Sequence, residues 1–471
     1  MSTWPRTRCI EVKLNKAVRI PPFLTRYQLA NARLPITVSA AAGLLPDEDG
    51  LAPASLLVEN GRIAAISAGA MAVETATPLF DLDGGIVLPA FTDVHTHLDK
   101  GHIWPRRRNT DGSFAAALLA CRTDRENWSA ADLRARMRFG LECAYAHGTS
   151  ALRTHIDSMS PQTAISWPIF AELREAWRGR VALQASPLFA VELALDDAHF
   201  DEIAFAVREY QAMVGAVTYM SAHLEPALER LFRLAEETGS DLDFHVDETN
   251  DPSSRSLEVI ADMATARRFD HKILCAHCCS LALQPQDYAK RVIEKVARAG
   301  IAVVSLPMCN LYLQDRDIKA ERTPRWRGVT AVHELKRAGV PVMIASDNTR
   351  DPFYAYGDLD MLEVFREATR ILHFDHPAGD WLRTITATPA TIMGQREGPP
   401  LRQGAPADLV AFKARSFTEL FARPQTDRAV IRAGRAIEAE LPDHRGLDAA
   451  LLRRRDQRAE HPEEWAHPRS G

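Results

Sequence analysis

The sequence predicts an α/β fold in which a barrel of parallel strands and helices is joined to a small β unit built from both ends of the chain. Short apolar strands alternate with amphipathic helices through the middle of the chain, and short strands with turn residues recur near both ends. The predicted boundaries are 1–89 for an N-terminal extension and the first β segment, 90–394 for the barrel, 395–440 for the second β segment and 441–471 for a charged tail.

The two ends of the chain carry the signals of a small β structure. Within 56–66, two runs of strand type meet at Asn60-Gly61, a dipeptide that favours a hairpin turn because both positions need positive φ. Near the other end, 407–412 and 429–432 are short runs of strand length. We expect these pieces to associate in one all-β unit.

The middle of the chain alternates between helical and strand patterns. Leu224, Leu228 and Leu231 fall on one helical face, and Gly239 is placed to end that helix. The next segment, 241–247, alternates polar and apolar residues, which is typical of a strand. Further strands are predicted at 273–277, 301–306 and 340–346, with helices at 256–268, 287–299 and 329–338. This repeat predicts a parallel barrel or a doubly wound sheet.

Four polar residues at strand ends favour the barrel. His97, His245, His277 and Asp347 each lie at or near the carboxyl end of a predicted strand. In a barrel, the carboxyl ends of the strands gather the active-site residues at one face. We therefore predict the barrel rather than the open sheet.

These strand ends offer the ligands of a metal ion. His95, His97, His245 and Asp347 supply three imidazoles and a carboxylate, which are N and O ligands suited to one zinc or iron(II) ion. His95 and His97 are two residues apart, so on a strand both rings point to one side. Such an ion lowers the pKa of water toward ~7 and produces a hydroxide that attacks an electron-poor carbon.

Two further residues suit proton transfer. Glu248 lies three residues beyond His245, where it can protonate a ring nitrogen and then departing ammonia. His277 can hydrogen-bond the hydroxide or the developing oxyanion, and Asp347 can accept the water proton as well as bind the metal. This set predicts hydrolytic deamination of a nitrogen heterocycle.

Composition excludes several other classes of partner. The net charge of −5, with 46% apolar and 25% charged residues, gives no reason to expect nucleic acid or an anionic membrane. No apolar run approaches the ~20 residues that a membrane span needs. Seven cysteines, an odd number, do not suggest a disulfide framework, and residues 1–33 lack the apolar core of a signal peptide. We expect a cytoplasmic enzyme.

The motifs resemble those of the cytosine deaminase branch of the amidohydrolase superfamily, over about 31–435. The matching segments are 31–35, 94–99, 153–157, 245–248, 310–314 and 346–354. The resemblance implies a distorted (β/α)₈ TIM-type barrel flanked by a β-sandwich from both termini, with one divalent metal ion per subunit. It assigns His95, His97, His245 and Asp347 as ligands and Glu248 and His277 as catalytic residues. The carboxylated lysine of binuclear relatives has no counterpart near 181–186.

Two departures from that branch concern the residues that read the substrate. Cytosine deaminases place a glutamine where this chain has 188–190, which begins at Leu188, while Gln184 aligns earlier on the strand. They also carry a second aspartate where this chain has Asn348; asparagine at this position is a feature of the alkylaminotriazine hydrolases of the same branch. Cytosine is therefore not the expected main substrate. In the family, the aromatic residue at Phe353 stacks on the substrate ring.

Other residues have two interpretations at this stage. Trp104 and the basic run 106–108 follow the first strand with predicted metal ligands and should border the mouth of the site. Both can contact the substrate. For the basic run the alternative is a solvated loop, which we favour. His155 and Asp157 can support the metal ligands from behind. Asn310 and Gln314 have a structural or a substrate-binding role.

Within the family, the substrate can be a pyrimidine, a pterin or an aminotriazine. The enzymatic alternatives are an N-alkylaminotriazine amidohydrolase, of the type that acts on ammelides, and a cyclic-amide hydrolase. A non-catalytic scaffold is a remote alternative, because such a protein should have lost some of the six residues. Members of the family often form homo-oligomers, and we expect the same here.

Overall fold

The computed structural model describes residues 20–72, 76–316, 321–395, 398, 400–438 and 440–451. The predicted N-terminal extension up to residue 19 and the charged tail from 452 lie outside the described residues. The chain divides into two compact units, formed by the described parts of Met1–Ala90 with Pro399–Glu438 and of Phe91–Gly398 with Ala439–Gly471.

The described residues contain sixteen strands. They are β1 (Arg26–Pro35), β2 (Leu51–Glu59), β3 (Arg62–Ala68), β4 (Leu79–Asp81), β5 (Val87–Pro89), β6 (Phe91–Thr96), β7 (Thr149–Asp157), β8 (Ala182–Leu188), β9 (Val214–Thr218), β10 (Leu242–Val246), β11 (Ile273–His277), β12 (Ala302–Ser305), β13 (Val342–Ile344), β14 (Leu409–Ala411), β15 (Ala429–Arg432) and β16 (Arg435–Ala436).

The same part of the chain contains thirteen α-helices. They are α1 (Phe114–Asp124), α2 (Ala130–Ala146), α3 (Thr163–Ala176), α4 (Asp197–Tyr210), α5 (Leu224–Thr238), α6 (Ser256–Arg267), α7 (Gln286–Arg298), α8 (Pro307–Leu313), α9 (Val332–Arg337), α10 (Met361–Leu372), α11 (Ala387–Ile392), α12 (Phe417–Ala422) and α13 (Asp448–Leu451). Short 3₁₀ helices lie at Ile36–Val38, Arg125–Asn127, Val191–Leu195, Cys279–Leu283, Ala378–Ile385 and His444–Leu447. None of these helices is long and apolar enough to cross a membrane.

The first unit consists of two four-stranded sheets, ordered β3-β2-β1-β4 and β16-β15-β14-β5. The predicted hairpin is confirmed, because β2 and β3 pair antiparallel around Asn60 and Gly61, whose φ angles are 48° and 81°. Antiparallel pairing of β5 with β14 joins Val87–Pro89 to Leu409–Ala411. Strands from both ends of the chain therefore share one sheet, as the sequence predicted.

The second unit carries eight parallel strands in two sheets, ordered β6-β7-β8 and β13-β12-β11-β10-β9. The predicted parallel α/β pattern is thus confirmed. Segment 181–186 contributes to β8, the third of the eight strands, and neither β8 nor β9 contains a lysine. Helix α5 buries Leu228 and Leu231 and ends at Gly239, whose φ of 64° suits glycine.

The strands of this unit are held together by buried apolar side chains. Val94 of β6, Leu274 of β11, Val304 of β12 and Met343 of β13 belong to one cluster, and each is at most 1% exposed. Burial of such side chains stabilises a fold by about 1.5–3 kcal/mol each. The polar residues at the strand ends are therefore mounted on a rigid apolar support.

Candidate active site

Four predicted metal ligands converge at the carboxyl ends of β6, β10 and β13. Nε2 of His97 lies 3.1 Å from Oδ1 of Asp347 and 3.4 Å from Nε2 of His245. Nε2 of His95 lies 3.6 Å from the same carboxylate oxygen. All four residues are buried, none more than 6% exposed. The structure thus brings together side chains that are up to 252 positions apart, counted from His95 to Asp347.

The donor atoms fit a divalent cation. Both ring nitrogens of His95 and both carboxylate oxygens of Asp347 are buried and lack a hydrogen-bond partner among the described residues. Burial and nearby positive charge hold the pKa of His95, His97 and His245 well below the usual value of 6.5, so the rings are neutral and keep their lone pairs. Burial raises the pKa of Asp347 to about 7. A bound cation would lower that pKa again, because it stabilises the ionised carboxylate.

His155 also belongs to this cluster. Its ring centroid lies 4.0 Å from that of His95 and 4.6 Å from that of His245, and one of its ring nitrogens lies within 4.8 Å of a ring nitrogen of each. Its Nε2 is 3.8 Å from Oδ1 of Asp243, whose other oxygen accepts a 2.8 Å hydrogen bond from Arg153. The sequence pointed to a supporting role for His155; the structure places it against the ligands themselves.

Glu248 and His277 lie side by side and share one partner. Nδ2 of Asn310, on α8, donates to Oε1 of Glu248 at 3.1 Å and to Nδ1 of His277 at 3.0 Å. Because an amide N–H can only donate, Nδ1 of the neutral ring is an acceptor and the ring proton sits on Nε2. That Nε2 is buried and without a partner in the described part of the chain. It can donate to a substrate oxygen.

The electrostatics of this pair suit proton transfer. Only 14% of the Glu248 side chain is exposed to solvent. This burial, and then the charge of Asp347, raise the pKa of Glu248 well above its usual 4.5. Burial lowers the pKa of His277 to about 3. A carboxyl that holds its proton beside a neutral imidazole can act as a general acid near neutral pH.

The turn that carries Glu248 is fixed by its neighbour Asp247. The carboxylate of Asp247 accepts hydrogen bonds from Oγ of Ser254 at 2.6 Å and from the backbone N–H of Ser256 and of Leu257 at 3.1 Å each. It thereby supplies acceptors for the first turn of α6. Asp247 itself has a φ of 47°, so the chain turns sharply just before Glu248.

Two site residues stand in the left-handed region of the backbone. His277 has a φ of 67° and Asp347 a φ of 61°, conformations that cost roughly 1–3 kcal/mol each in non-glycine residues. Asp347 is held there by its backbone N–H, which donates to the carbonyl of His95 at 2.9 Å. The carboxylate of Asp93 accepts a hydrogen bond from the N–H of Ser346 at 3.2 Å. Strain of this kind gathers at functional sites.

The predicted substrate contacts fall into two groups. Leu188 pairs with Asp157 at the carboxyl ends of β8 and β7, and Phe353 is buried, with its ring centroid 5.4 Å from that of Phe114. Trp104 is half-buried and donates its backbone N–H to the carbonyl of Arg350. These residues lie on elements that border the cluster.

Gln184 and Asn348 are instead engaged by the protein. Oε1 of Gln184 accepts two hydrogen bonds from Arg153, and its Nε2 donates to the carbonyl of Met393 at 2.9 Å. Gln184 pairs with Arg153, four residues before the end of β8, so the structure does not bring it to the cluster. Nδ2 of Asn348 donates to Asp351 at 2.7 Å, which fixes the amide beside the metal ligand.

The basic run 106–108 does not behave uniformly. Arg108 is exposed, as expected for a solvated loop. For Arg106 that expectation was wrong: its guanidinium is 9% exposed and forms ion pairs with Asp124 at 2.8 Å and Asp132 at 2.7 Å. These two buried carboxylates lie on α1 and α2, so the ion pairs of Arg106 connect the loop to both helices.

Sequence reasoning missed one functional candidate, Lys100, and left the role of a second, Asn310, open. The sequence did not decide between a structural and a substrate-binding role for Asn310, because nothing in the neighbouring residues indicates its hydrogen bond to Glu248. Lys100 follows His97 by three residues, in the same motif, and its Nζ lies 3.3 Å from Asp157 and 5.2 Å from the centroid of Phe353. A lysine so close to a metal-binding HxH pair is the signal that could have found it.

Comparison with known proteins places these observations in a family. The model of the amidohydrolase family matches residues 107–438. Pterin deaminase of Rhizobium rhizogenes (strain K84) is 51% identical over 434 residues, covering 92% of this chain and 98% of that protein. N-isopropylammelide isopropyl amidohydrolase of Pseudomonas sp. (strain ADP) is 22% identical, over 76% of this chain and 87% of that protein.

Solved structures agree on the fold. 5-Methylcytosine deaminase of Klebsiella pneumoniae, liganded with 5-fluorocytosine, superposes with a TM-score of 0.77 at 24% identity, covering 88% of this chain and 98% of that one. An atrazine chlorohydrolase of Arthrobacter aurescens, complexed with zinc, gives a TM-score of 0.61 at 15% identity, over 90% and 99% of the two chains. The predicted resemblance and the predicted class of activity, metal-dependent hydrolytic deamination of a heterocycle, are thereby confirmed. The chain belongs to the amidohydrolase family.

Proposed function

We propose that this deaminase acts on a pterin, replacing the amino group of the 2-amino-4-oxopteridine ring by an oxo group and releasing ammonia. The observation that carries the chemistry is the pair Glu248 and His277, held by Asn310 next to the metal-binding cluster. The choice of ring is supported by 51% identity to a pterin deaminase across nearly the whole of both chains.

We assign one divalent ion, zinc or iron(II), to His95, His97, His245 and Asp347. When bound, the ion would supply Lewis-acid chemistry by lowering the pKa of water toward ~7. The assignment is supported by the neutral rings and by the buried donor atoms that lack partners in the described residues. His155 would then pack against His95 and His245 and fix their ring orientation.

The remaining steps are proton transfers by this chain. As the oxygen of water adds to the amino-bearing carbon, its proton passes to Asp347, and Glu248 protonates the adjacent ring nitrogen. Nε2–H of His277 donates to the new oxygen as charge develops there. When the C–N bond breaks, the carboxylate of Glu248 takes the proton of the new hydroxyl group and passes it to the amino group, which leaves as ammonia, and the proton held by Asp347 then returns to Glu248. The oxygen remains as the product oxo group.

The ring-binding features suit a pterin better than cytosine. In a pterin, the amino group is on C2, between the two nitrogens of the pyrimidine ring, and the oxo group is on C4. In cytosine, the amino group is on C4 and the oxo group is on C2. A glutamine that reads the amide edge of cytosine is therefore not required, and Gln184 is already bonded to Arg153 and Met393. Phe353 offers a flat apolar surface for stacking, and Leu188 offers an apolar wall.

We also propose that the eight parallel strands close into a barrel and that the two sheets of the first unit form a β-sandwich, with the domain boundaries predicted from the sequence. Closure is supported by the bridge between Thr96 and Asp347 and by the N–H of Val217, which donates to the carbonyl of Phe189 at 2.8 Å. These contacts link β6 to the segment after β13, and β8 to β9.

A cytoplasmic location and a homo-oligomeric state complete the proposal. Six free cysteines are buried in the described residues, as suits a reducing compartment. Phe205 and Leu119 expose 61% and 66% of their surface on α4 and α1, which suits contact with another subunit. Light scattering after gel filtration would measure the oligomeric mass, and a monomer would contradict this part.

The test is an ammonia-release assay with metal-loaded protein. The panel should hold pterin, 6-substituted pterins, cytosine and isocytosine; N-isopropylammelide and a cyclic amide would be followed alongside by chromatography, because the first would release isopropylamine and the second would open its ring, neither of which yields ammonia. We expect pterins to give the highest kcat/KM; a preference for the ammelide or the cyclic amide would replace this proposal by the corresponding alternative. Glu248→Gln should retain metal and lose at least ~100-fold in kcat. Retained activity would refute its role, and turnover of no compound would favour a scaffold.

A further inference from the structure

Lys100 is a buried cation within the active site to which neither the proposed chemistry nor the metal assigns a task. It lies on the turn after β6, three residues beyond His97, and is 5% exposed. Its Nζ reaches Asp157 at the end of β7 and lies 5.2 Å from the centroid of Phe353, which follows the metal-ligand strand β13. Three neighbouring strand ends therefore surround the ammonium group.

The charge of Lys100 is only partly balanced. Its single hydrogen bond in the described residues goes to Oδ1 of Asp157 at 3.3 Å. The other oxygen of Asp157 accepts a 2.7 Å hydrogen bond from Arg125, so two cations share one carboxylate. Burial and repulsion by Asp157 raise the pKa of Asp99 to about 7, which limits its contribution. An ammonium has three N–H donors, so two remain available here.

The ammonium also stays protonated. Burial lowers the pKa of Lys100, but Asp157 and other nearby acidic groups raise it overall above its usual value. Its positive charge acts on the pKa of His95, His277, Glu248 and Asp347 alike. A cation that influences ligands and proton-transfer residues together lies beside the space where the substrate reacts.

Lys100 and Glu248 approach that space from different sheets. In the three-stranded sheet, Lys100 follows β6 and its partner Asp157 is the last residue of β7; in the five-stranded sheet, Glu248 follows β10 and His277 is the last residue of β11. The metal-binding donors come from both sheets and lie between them. A flat ring with its amino-bearing carbon at these donors would present one edge to Glu248 and another to Lys100.

We propose that Lys100 is a specificity-determining residue whose ammonium donates a hydrogen bond to the 4-oxo oxygen of the substrate ring. This inference rests on the proposed pterin deamination. The carbonyl oxygen is the strongest acceptor of that ring outside the reacting amidine, and a hydrogen bond to a charged group is about twice as strong as a neutral one. A ring that lacks the oxo group would leave two buried N–H donors without a partner, which opposes its binding.

The experiment compares pterin with 2-aminopteridine, which has the same amino group but no 4-oxo group. Both would be assayed with the wild type, with Lys100→Met, which keeps the length of the side chain, and with Arg125→Met as the matched control. Arg125→Met removes the other cation from Asp157 but leaves Lys100 in place. Metal content measured on each preparation identifies variants that have lost the site.

We expect Lys100→Met to lower kcat/KM for pterin at least roughly tenfold more than for 2-aminopteridine, whose own loss measures the effect of the missing charge on the proton-transfer groups. Arg125→Met should change the two substrates equally. Equal losses on both substrates in Lys100→Met, or the same discrimination pattern in Arg125→Met, would overturn the inference and leave pterin deamination intact. Failure of the metal-loaded wild type to release ammonia from any pterin would instead refute the proposed function.

A measurement on the wild type alone covers the case in which Lys100→Met does not fold. Competitive inhibition by pteridin-4-one and by unsubstituted pteridine compares two ligands that differ in the oxo group and carry no amino group to react. We expect pteridin-4-one to bind at least about tenfold more tightly. Equal inhibition constants would overturn the role of Lys100.

Discussion

Asn310 provides a sharp test of the active-site geometry, because one amide group serves both proton-transfer residues. In Asn310→Ala, Glu248 and His277 lose their 3.1 Å and 3.0 Å hydrogen bonds at the same time. A hydrogen bond between neutral groups contributes ~0.5–1.5 kcal/mol, so the loss of two corresponds to roughly 5- to 150-fold in rate. We expect kcat/KM to fall within that range, mainly through kcat, since Asn310 acts on reacting groups.

The pH profile gives an independent reading of the same change. The hydrogen bond from Asn310 lowers the pKa of Glu248 and raises that of His277. Its loss should therefore move the pKa of Glu248 further up and that of His277 further down. The limb of the kcat/KM profile that Glu248 controls should shift to higher pH. A residue with only a structural role would lower activity without moving the limb.

Gln314 is the matched control for this experiment. It follows α8 directly, and its Nε2 donates to the backbone carbonyl of Glu248 over a longer distance of 3.4 Å. Gln314→Ala should stay within about threefold of the wild type, because it removes one long neutral hydrogen bond. The reasoning would be refuted if Asn310→Ala kept wild-type activity and pH profile, or if Gln314→Ala lost as much.

Three further predictions concern the metal and the loop at its edge. Removal of metal with a chelator should abolish activity and lower Tm, with recovery on adding zinc or iron(II), since a ligand at 100 times its Kd stabilises by ~2.7 kcal/mol; an unchanged Tm would contradict a bound ion. His155→Phe should weaken metal binding about 10- to 100-fold in competition dialysis, while unchanged affinity would reduce His155 to packing. Arg106→Met should destabilise by ~1.5–3 kcal/mol in urea unfolding because Asp124 loses its ion pair, while Trp128 still donates to Asp124 and Arg136 still pairs with Asp132; exposed Arg108→Met should stay within ~0.5 kcal/mol. Equal stability losses would show that burial of the pair is unimportant.

The four predicted metal ligands carry local signals in the sequence, and the structure brings their side chains together. His95 and His97 share a side of one strand by their spacing, and residue type alone marks imidazole and carboxylate as ligands. The alternation of strands and helices predicted the parallel α/β unit, and Asn60 with Gly61 predicted the hairpin. Each of these patterns is read within a few residues of the chain.

The remaining features depend on partners that are distant in the sequence. Arg106 was expected to be solvated, but Asp124 and Asp132 fold next to it on two helices. Gln184 looked suited to a substrate amide, but Met393, 209 positions away, takes its N–H group. A polar side chain gives no local sign of which distant group will bind it.

The residues proposed for proton transfer and those proposed for ring binding lie on different sheets, which has a consequence for substrate specificity. The residues proposed to move protons, Glu248 and His277, lie at the carboxyl ends of β10 and β11, while the residues proposed to bind the ring, Lys100 and Leu188, lie at the carboxyl ends of β6 and β8. Substitutions on the three-stranded side can therefore change which ring is accepted without removing Glu248, His277 or Asn310. This explains how one proton-transfer arrangement can serve a pterin or another amino-substituted ring. It also predicts that exchanges at Leu188, which carries no charge, alter the ratio of kcat/KM between substrates more than they alter the pH profile.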